Sequence, residues 1–167
     1  MGIEIERKFL LAGDGWREAV RKSVRMAQGY INDMAALREG HQNASVRVRI
    51  AGDDAFLNLK SREAGHTRQE FDYPIPVADA EALLALCVGG RIDKVRHYVG
   101  HGGHTWEVDE FAGDNAGLVI AELELAAADE AYARPAWLGR EVTDETRWYN
   151  LALAERPYSR WNPQEKT

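Results

Sequence analysis

Like-charged side chains recur two residues apart along this sequence, and that spacing has chemical content. Acidic pairs stand at Glu4 and Glu6, at Glu107 and Asp109, and at Glu122 and Glu124. Basic pairs stand at Arg47 and Arg49 and at Lys94 and Arg96, with Lys8 and Lys60 continuing the pattern. A spacing of two puts side chains on one face of a β-strand. Like charges on one face repel, so their clustering implies a bound ion of opposite sign. Paired carboxylates suit a hard divalent cation such as Mg2+ or Mn2+. Paired arginines suit phosphate, which their guanidinium forks grip through bidentate hydrogen bonds. A face carrying both would hold a metal-chelated polyphosphate.

The elements that must position these residues are strands. Eight are expected, at roughly 3–11, 25–32, 44–50, 55–60, 67–75, 91–99, 104–111 and 118–126, and all but the second show charged and apolar faces in alternation. Opposite the charged positions stand Ile3, Ile5 and Phe9, Val46, Val48 and Ile50, Leu57 and Leu59, Phe71 and Tyr73, Trp106 and Val108, and Leu123 and Leu125; Arg7 breaks the rule. In a single strand, a half-solvated antiparallel sheet explains such alternation as well. Solvated faces mix Thr, Ser, Gln and Lys, however, whereas here like sits beside like in strand after strand. Ala51-Gly52-Asp53-Asp54 and Gly100-His101-Gly102-Gly103 read as hairpin turns. Three stretches read as helices: Gly13 to Ser23, Val77 to Val88 with Asp79 as cap and Gly89-Gly90 as stop, and Asp144 to Ala154 with Thr143 as N-cap.

Composition bounds the rest. The length of 167 residues fits one domain, 1–167, and the net charge of -6 argues against a general nucleic-acid binder. One cysteine, Cys87, excludes an internal disulfide and fits a reducing, cytoplasmic setting. On an apolar helix face it reads as a small buried hydrophobe. The N-terminal stretch has neither a signal-peptide core nor a membrane-spanning run, so no membrane partner is expected. No phosphate-binding glycine loop and no G-x-S-x-G motif is present. His97, His101 and His104 are a rival metal cluster, but their spacing matches no zinc pattern and they read as turn histidines.

Glu4-Ile5-Glu6-Arg7-Lys8 resembles the E-x-E-x-K signature of the CYTH superfamily, the triphosphate tunnel metalloenzymes. Behind it, Ser45-Val46-Arg47-Val48-Arg49, Leu57-Asn58-Leu59-Lys60-Ser61, Arg68-Gln69-Glu70, Asp93-Lys94-Val95-Arg96, Glu107-Val108-Asp109 and Glu122-Leu123-Glu124 follow in the family's order. The resemblance is strongest to the short bacterial members that hydrolyse inorganic tripolyphosphate. It implies a mainly β (α+β) fold: an eight-stranded antiparallel closed β-barrel, the tunnel, with helices packed outside and a C-terminal helix.

The resemblance also implies roles. Glu4, Glu6 and Glu124 would hold a first Mg2+ or Mn2+, and Asp109 and Glu122 a second. Arg47, Arg49, Lys60, Lys94 and Arg96 would clamp the triphosphate, with Lys8 facing it and Arg147 completing the site. Lys8, Tyr30 and Lys94 would be the catalytic group, and Glu70 and Glu107 would orient arginines. Where the family's C-terminal segment reads R-Y-K-N-K-x-L, this chain has Arg147-Trp148-Tyr149-Asn150-Leu151-Ala152-Leu153, so both lysines are missing. The implied reaction is attack of water on the terminal phosphorus of a small-molecule triphosphate, with the protein working alone or as a homodimer. The alternatives are a class IV adenylate cyclase, a thiamine triphosphatase or other nucleoside triphosphatase, with Trp137 or Trp148 stacking an organic group, and a non-catalytic polyphosphate-binding module.

Overall fold

The computed structural model describes residues 5–61 and 69–167, so Glu4 and Arg68 lie outside the described residues. Nine strands form one antiparallel sheet: β1 (Ile5–Leu11), β2 (Val20–Tyr30), β3 (Ala44–Ala51), β4 (Asp54–Ser61), β5 (Glu70–Pro74), β6 (Val88–His101), β7 (His104–Ala112), β8 (Val119–Leu125) and β9 (Leu138–Glu141). Their order across the sheet is β5-β4-β3-β2-β6-β7-β8-β1-β9. Short helices are α1 (Met34–Glu39), α2 (Val77–Leu84) and α3 (Asn150–Glu155).

Register shows that the charged positions share one face. Directly opposed pairs include Lys8 with Glu122, Glu6 with Glu124, Tyr30 with Arg47, Gln28 with Arg49, Arg47 with Asn58, Lys60 with Glu70 and Arg96 with Asp109. The other face is apolar in two patches. Phe9, Trp16, Val99, Trp106, Val108, Ala121, Leu123, Leu125 and Leu138 form one, partly covered by Tyr132 and Trp137. Ala27, Val48 and Ala55 form the other, under Ala80 and Leu84 of α2. Fully burying side chains of this size contributes about 1.5–3 kcal/mol each.

The charged face itself turns apolar at one end. Leu10, Tyr30, Ile92, Phe111, Leu118 and Ile120 continue the same strand faces and pack around Trp148, Leu153 and Trp161. Only a curled sheet brings β1 and β2 to one cluster, because β6, β7 and β8 lie between them. The charged face therefore lines a tunnel stoppered by α3 and the segment after it. At the other end a cavity of about 410 Å³ opens among Tyr98, Thr105, Glu107, Glu124, Leu125 and Ala126.

Several details depart from expectation. The barrel was expected closed and eight-stranded; the sheet has nine strands, and β5 and β9 are its edges among the described residues. Residues 13–23 hold only a five-residue 3-10 turn (Gly15–Ala19) before β2, which starts earlier than expected. The expected α2 extends to Val88, but the helix stops at Leu84 and Pro76, not Asp79, occupies its N-cap. Residues 144–154 split into a 3-10 turn (Thr146–Trp148) and α3, and Thr143 caps neither. Instead its hydroxyl accepts the Lys8 backbone N–H at 3.0 Å and donates to Glu141 at 2.7 Å. The β6–β7 hairpin turns on Gly102 and Gly103, whose φ values of 58° and 84° are those of a type I′ turn.

Candidate functional site

The tunnel face has two electrostatically different walls. On the wall of β6, β7, β8 and β1, every expected cation is held by carboxylates. Arg96 bonds Asp109 twice at 2.7 Å, reaches Glu122 at 2.6 Å and also pairs with Glu107. Lys94, 3% exposed, pairs with the fully buried Asp109. Lys8, 2% exposed, pairs with Glu122 and with Glu6 at 2.9 Å.

The pKa directions follow from this arrangement. Burial works against the charged form of Lys8, but Glu122 and Glu6 more than offset it and hold the ammonium protonated. Burial would raise Glu122, yet Lys8, Lys94 and Arg96 drive its carboxyl well below the usual range. Arg96 stays firmly charged, because Asp109, Glu122 and Glu107 outweigh its burial. Lys94 is pulled down, first by burial and then by its neighbour Arg96, against the opposing pull of Asp109. Glu107 is pushed up, first by burial.

On the wall of β2, β3, β4 and β5 the balance differs. Arg47 and Arg49 lie two apart on β3, and the Nε atom of each is buried without a hydrogen-bond partner. Burial lowers the pKa of Arg49, and neighbouring Arg47 lowers it further. The acidic groups nearby are engaged elsewhere: Asn58 donates to Glu70 at 2.6 Å and to Asp72 at 2.9 Å, and Lys60 lies 3.4 Å from Glu70. Glu70, expected to orient an arginine, contacts Asn58 and Lys60 and also acts electrostatically on Arg49.

Tyr30 is buried beside Arg47, and its hydroxyl pKa is raised by that burial. The ring over the Lys8 ammonium is Tyr149, whose centroid lies 4.6 Å from Nζ. Sequence reasoning missed Tyr149, though it stands where the family motif carries a lysine. Arg147 is engaged away from this face: it bonds Glu145 at 2.9 Å and lies over the rings of Trp148 and Trp161. Trp148 is 1% exposed within the stopper and Trp137 packs against Trp106, so neither offers a stacking surface.

The histidines do not converge. His97 sits between Ser23 and Glu110, against Trp16, while His104 bonds Glu130 at 2.9 Å. Cys87 is half-buried, and burial raises its pKa. Among the described residues, no three acidic, histidine or cysteine side chains are gathered into a ready metal cage.

Both the fold and this charged tunnel are those of one class of protein: the chain belongs to the CYTH domain family, which it matches over residues 2–156. Among its relatives is an inorganic triphosphatase of Acetivibrio thermocellus, 42% identical over 95% of this chain and 97% of the relative. Another is an inorganic triphosphatase of Nitrosomonas europaea, 38% identical over 90% and 96%. A crystal structure of an inorganic triphosphatase superposes with a TM-score of 0.68 at 34% identity, covering 92% of this chain and 95% of that one. A Hippeastrum protein with a dominant triphosphatase activity shares the fold at a TM-score of 0.56 and 17% identity. No helix among the described residues is long and apolar enough to cross a membrane.

Proposed function

We propose that this chain hydrolyses inorganic tripolyphosphate to pyrophosphate and orthophosphate. One observation carries the reading: two half-buried arginines on one strand face, Arg47 and Arg49, have buried Nε donors without a partner, across from a wall whose cations are already neutralised. A buried, unpaired donor costs about 1–3 kcal/mol, more if charged, and a polyanion in the tunnel removes that cost.

Arg47, Arg49 and Lys60 bind the phosphate oxygens. Lys94 and Arg96, fixed by their carboxylates, present positive charge from the other side without reorganising, and Lys8 adds its ammonium. Water attacks the terminal phosphorus in line; its bond to the bridging oxygen breaks, and pyrophosphate leaves. Cations positioned in advance supply most of the acceleration, because phosphoryl transfer depends on positioning and charge stabilisation. Lys8, Lys94 and Tyr30 line the reacting region in this reading.

A divalent cation fits Glu6 and Glu124. They face each other directly across β1 and β8, an arrangement that is repulsive without a cation between them. Mg2+ characteristically takes one or two carboxylates plus substrate phosphates rather than a full protein cage. Glu4 joins this set by its spacing from Glu6. Such an ion supplies charge to the phosphate oxygens and lowers the pKa of bound water. Asp109 and Glu122, expected as ligands of a second ion, are in contact with Lys94, Arg96 and Lys8. We assign both first to holding those cations.

Tripolyphosphate, ATP and thiamine triphosphate, each with Mg2+ or Mn2+, test the reading when phosphate and cyclic AMP are both measured. Phosphate from tripolyphosphate should dominate. Cyclic AMP as the main product, or tight binding of tripolyphosphate without turnover in either metal, would replace it with one of the alternatives.

A further inference from the structure

Lys8 has three close partners. Glu122 accepts a hydrogen bond from its ammonium, Glu6 lies 2.9 Å away as an ion pair, and the Tyr149 ring centroid lies at 4.6 Å. An ammonium has three N–H donors and no more. A phosphate oxygen approaching Lys8 therefore competes with these partners for the ammonium.

The partners differ in strength. Glu122 is a buried carboxylate and Glu6 a partly exposed one, and each attracts the ammonium as a full opposite charge. The ring is held by cation–π attraction, worth about 0.5–1 kcal/mol at exposed sites and about 2 when desolvated. The ring is therefore the partner that yields. Tyr149 is also anchored independently of Lys8: its hydroxyl donates to the Thr143 carbonyl at 2.8 Å. The Thr143 hydroxyl in turn accepts the Lys8 backbone N–H at 3.0 Å. Ring and lysine are thus registered against each other through Thr143, at the junction of β1 with the segment that leads into α3.

We infer that Tyr149 is a positioning residue, the exchangeable third partner of Lys8: it parks the ammonium in the empty tunnel and gives it up to a phosphate oxygen of the substrate. This rests on the triphosphatase reading for the identity of the displacing anion. Because the ring competes with phosphate for the same donor, its removal strengthens ground-state binding. Because the parked state is left before reaction, its removal has little effect on the chemical step.

Lysine-selective 15N labelling gives a readout separate from activity. In the substrate-free protein, the Lys8 ammonium protons should resonate upfield through the ring current of Tyr149. Tyr149→Leu should abolish that shift and Tyr149→Phe should keep it, because the Phe variant loses only the hydroxyl. Saturating tripolyphosphate without divalent metal should remove the shift from the wild-type protein. By calorimetry, Tyr149→Leu should bind tripolyphosphate about two- to fivefold more tightly than wild type. In kinetics it should lower KM with kcat little changed, while Tyr149→Phe behaves as wild type. A shift that persists in the bound state, or weaker binding by Tyr149→Leu, overturns the exchange. If Tyr149→Leu fails to fold, the wild-type spectra with and without tripolyphosphate still decide it. Failure of tripolyphosphate to bind both without metal and with Mg2+ or Mn2+ overturns the functional reading instead, and the substrate-free shift then reports on the ring contact alone.

Discussion

Arg49 is where the tension between folding and function is most local. Its guanidinium is buried beside Arg47, its Nε lacks a partner, and its pKa is depressed by burial and by that neighbour. Asp72 and Glu70 offset only part of this, and a bound anion would offset more. Arg49→Ala should therefore lower kcat/KM for tripolyphosphate by about a hundredfold or more, the loss of one or two charge-assisted contacts. Its melting temperature should hold or rise, because an uncompensated buried cation is gone. Arg49→Lys should recover only part of the activity, since a point charge does not replace a bidentate fork. Steady-state kinetics alongside thermal denaturation checks both halves; a variant that loses stability and keeps activity would show that Arg49 is structural.

Positions on the strands depend on elements outside the charged strands themselves. The segment 141–149 shows this: Val142 donates its backbone N–H to the Lys8 carbonyl at 2.8 Å, and Thr143 receives the Lys8 N–H. Thr143→Val should cost about 1–3 kcal/mol by stranding that N–H, read as a drop in chemical-denaturation midpoint, with a larger proportional loss of activity because Lys8 shifts. Leu153, fully buried in the stopper, should cost about 2–5 kcal/mol on truncation to Ala. Much of this architecture was legible in the sequence. The charge alternation marked seven of the nine strands and the face on which their charged side chains stand, while β2 was expected without it. β9 was not legible because four residues are too few to display a period. α1 was missed although its signals are local: Asp33 caps it by accepting the Ala35 N–H at 2.8 Å, and Gly40 ends it at φ 83°. Arg147 was placed at the phosphate site from its motif; in the fold it pairs with Glu145 and lies over the rings of Trp148 and Trp161, the last a contact only tertiary structure could reveal. Tyr149 likewise acquires meaning only when β1 and the C-terminal segment meet.

Across the whole molecule, the tunnel ties stability to pH through opposed carboxylates. Glu122 has a folded pKa below its ordinary 4.5, because three cations outweigh its burial. Its contribution is present above about pH 4.5 and is lost as pH falls below that value. Glu107 is shifted the other way, chiefly by burial. Its contribution is present below the ordinary carboxylate pKa and is lost as pH rises through its raised folded value. Stability measured against pH should thus fall on the acid side, and Glu122→Gln should flatten that limb while lowering the plateau at neutral pH. An acid limb unchanged by Glu122→Gln would mean that the buried network does not govern it. The central claim is that one enclosed face grips a triphosphate between the arginines of β3 and the fixed cations of β1 and β6, and splits it once. Following tripolyphosphate by 31P NMR in the presence of Mg2+ or Mn2+ tests this most directly. Equal amounts of pyrophosphate and orthophosphate should appear as tripolyphosphate disappears, at a rate greatly reduced in Arg49→Ala. Persistence of intact tripolyphosphate with both metals, or cleavage undiminished by that substitution, would contradict it.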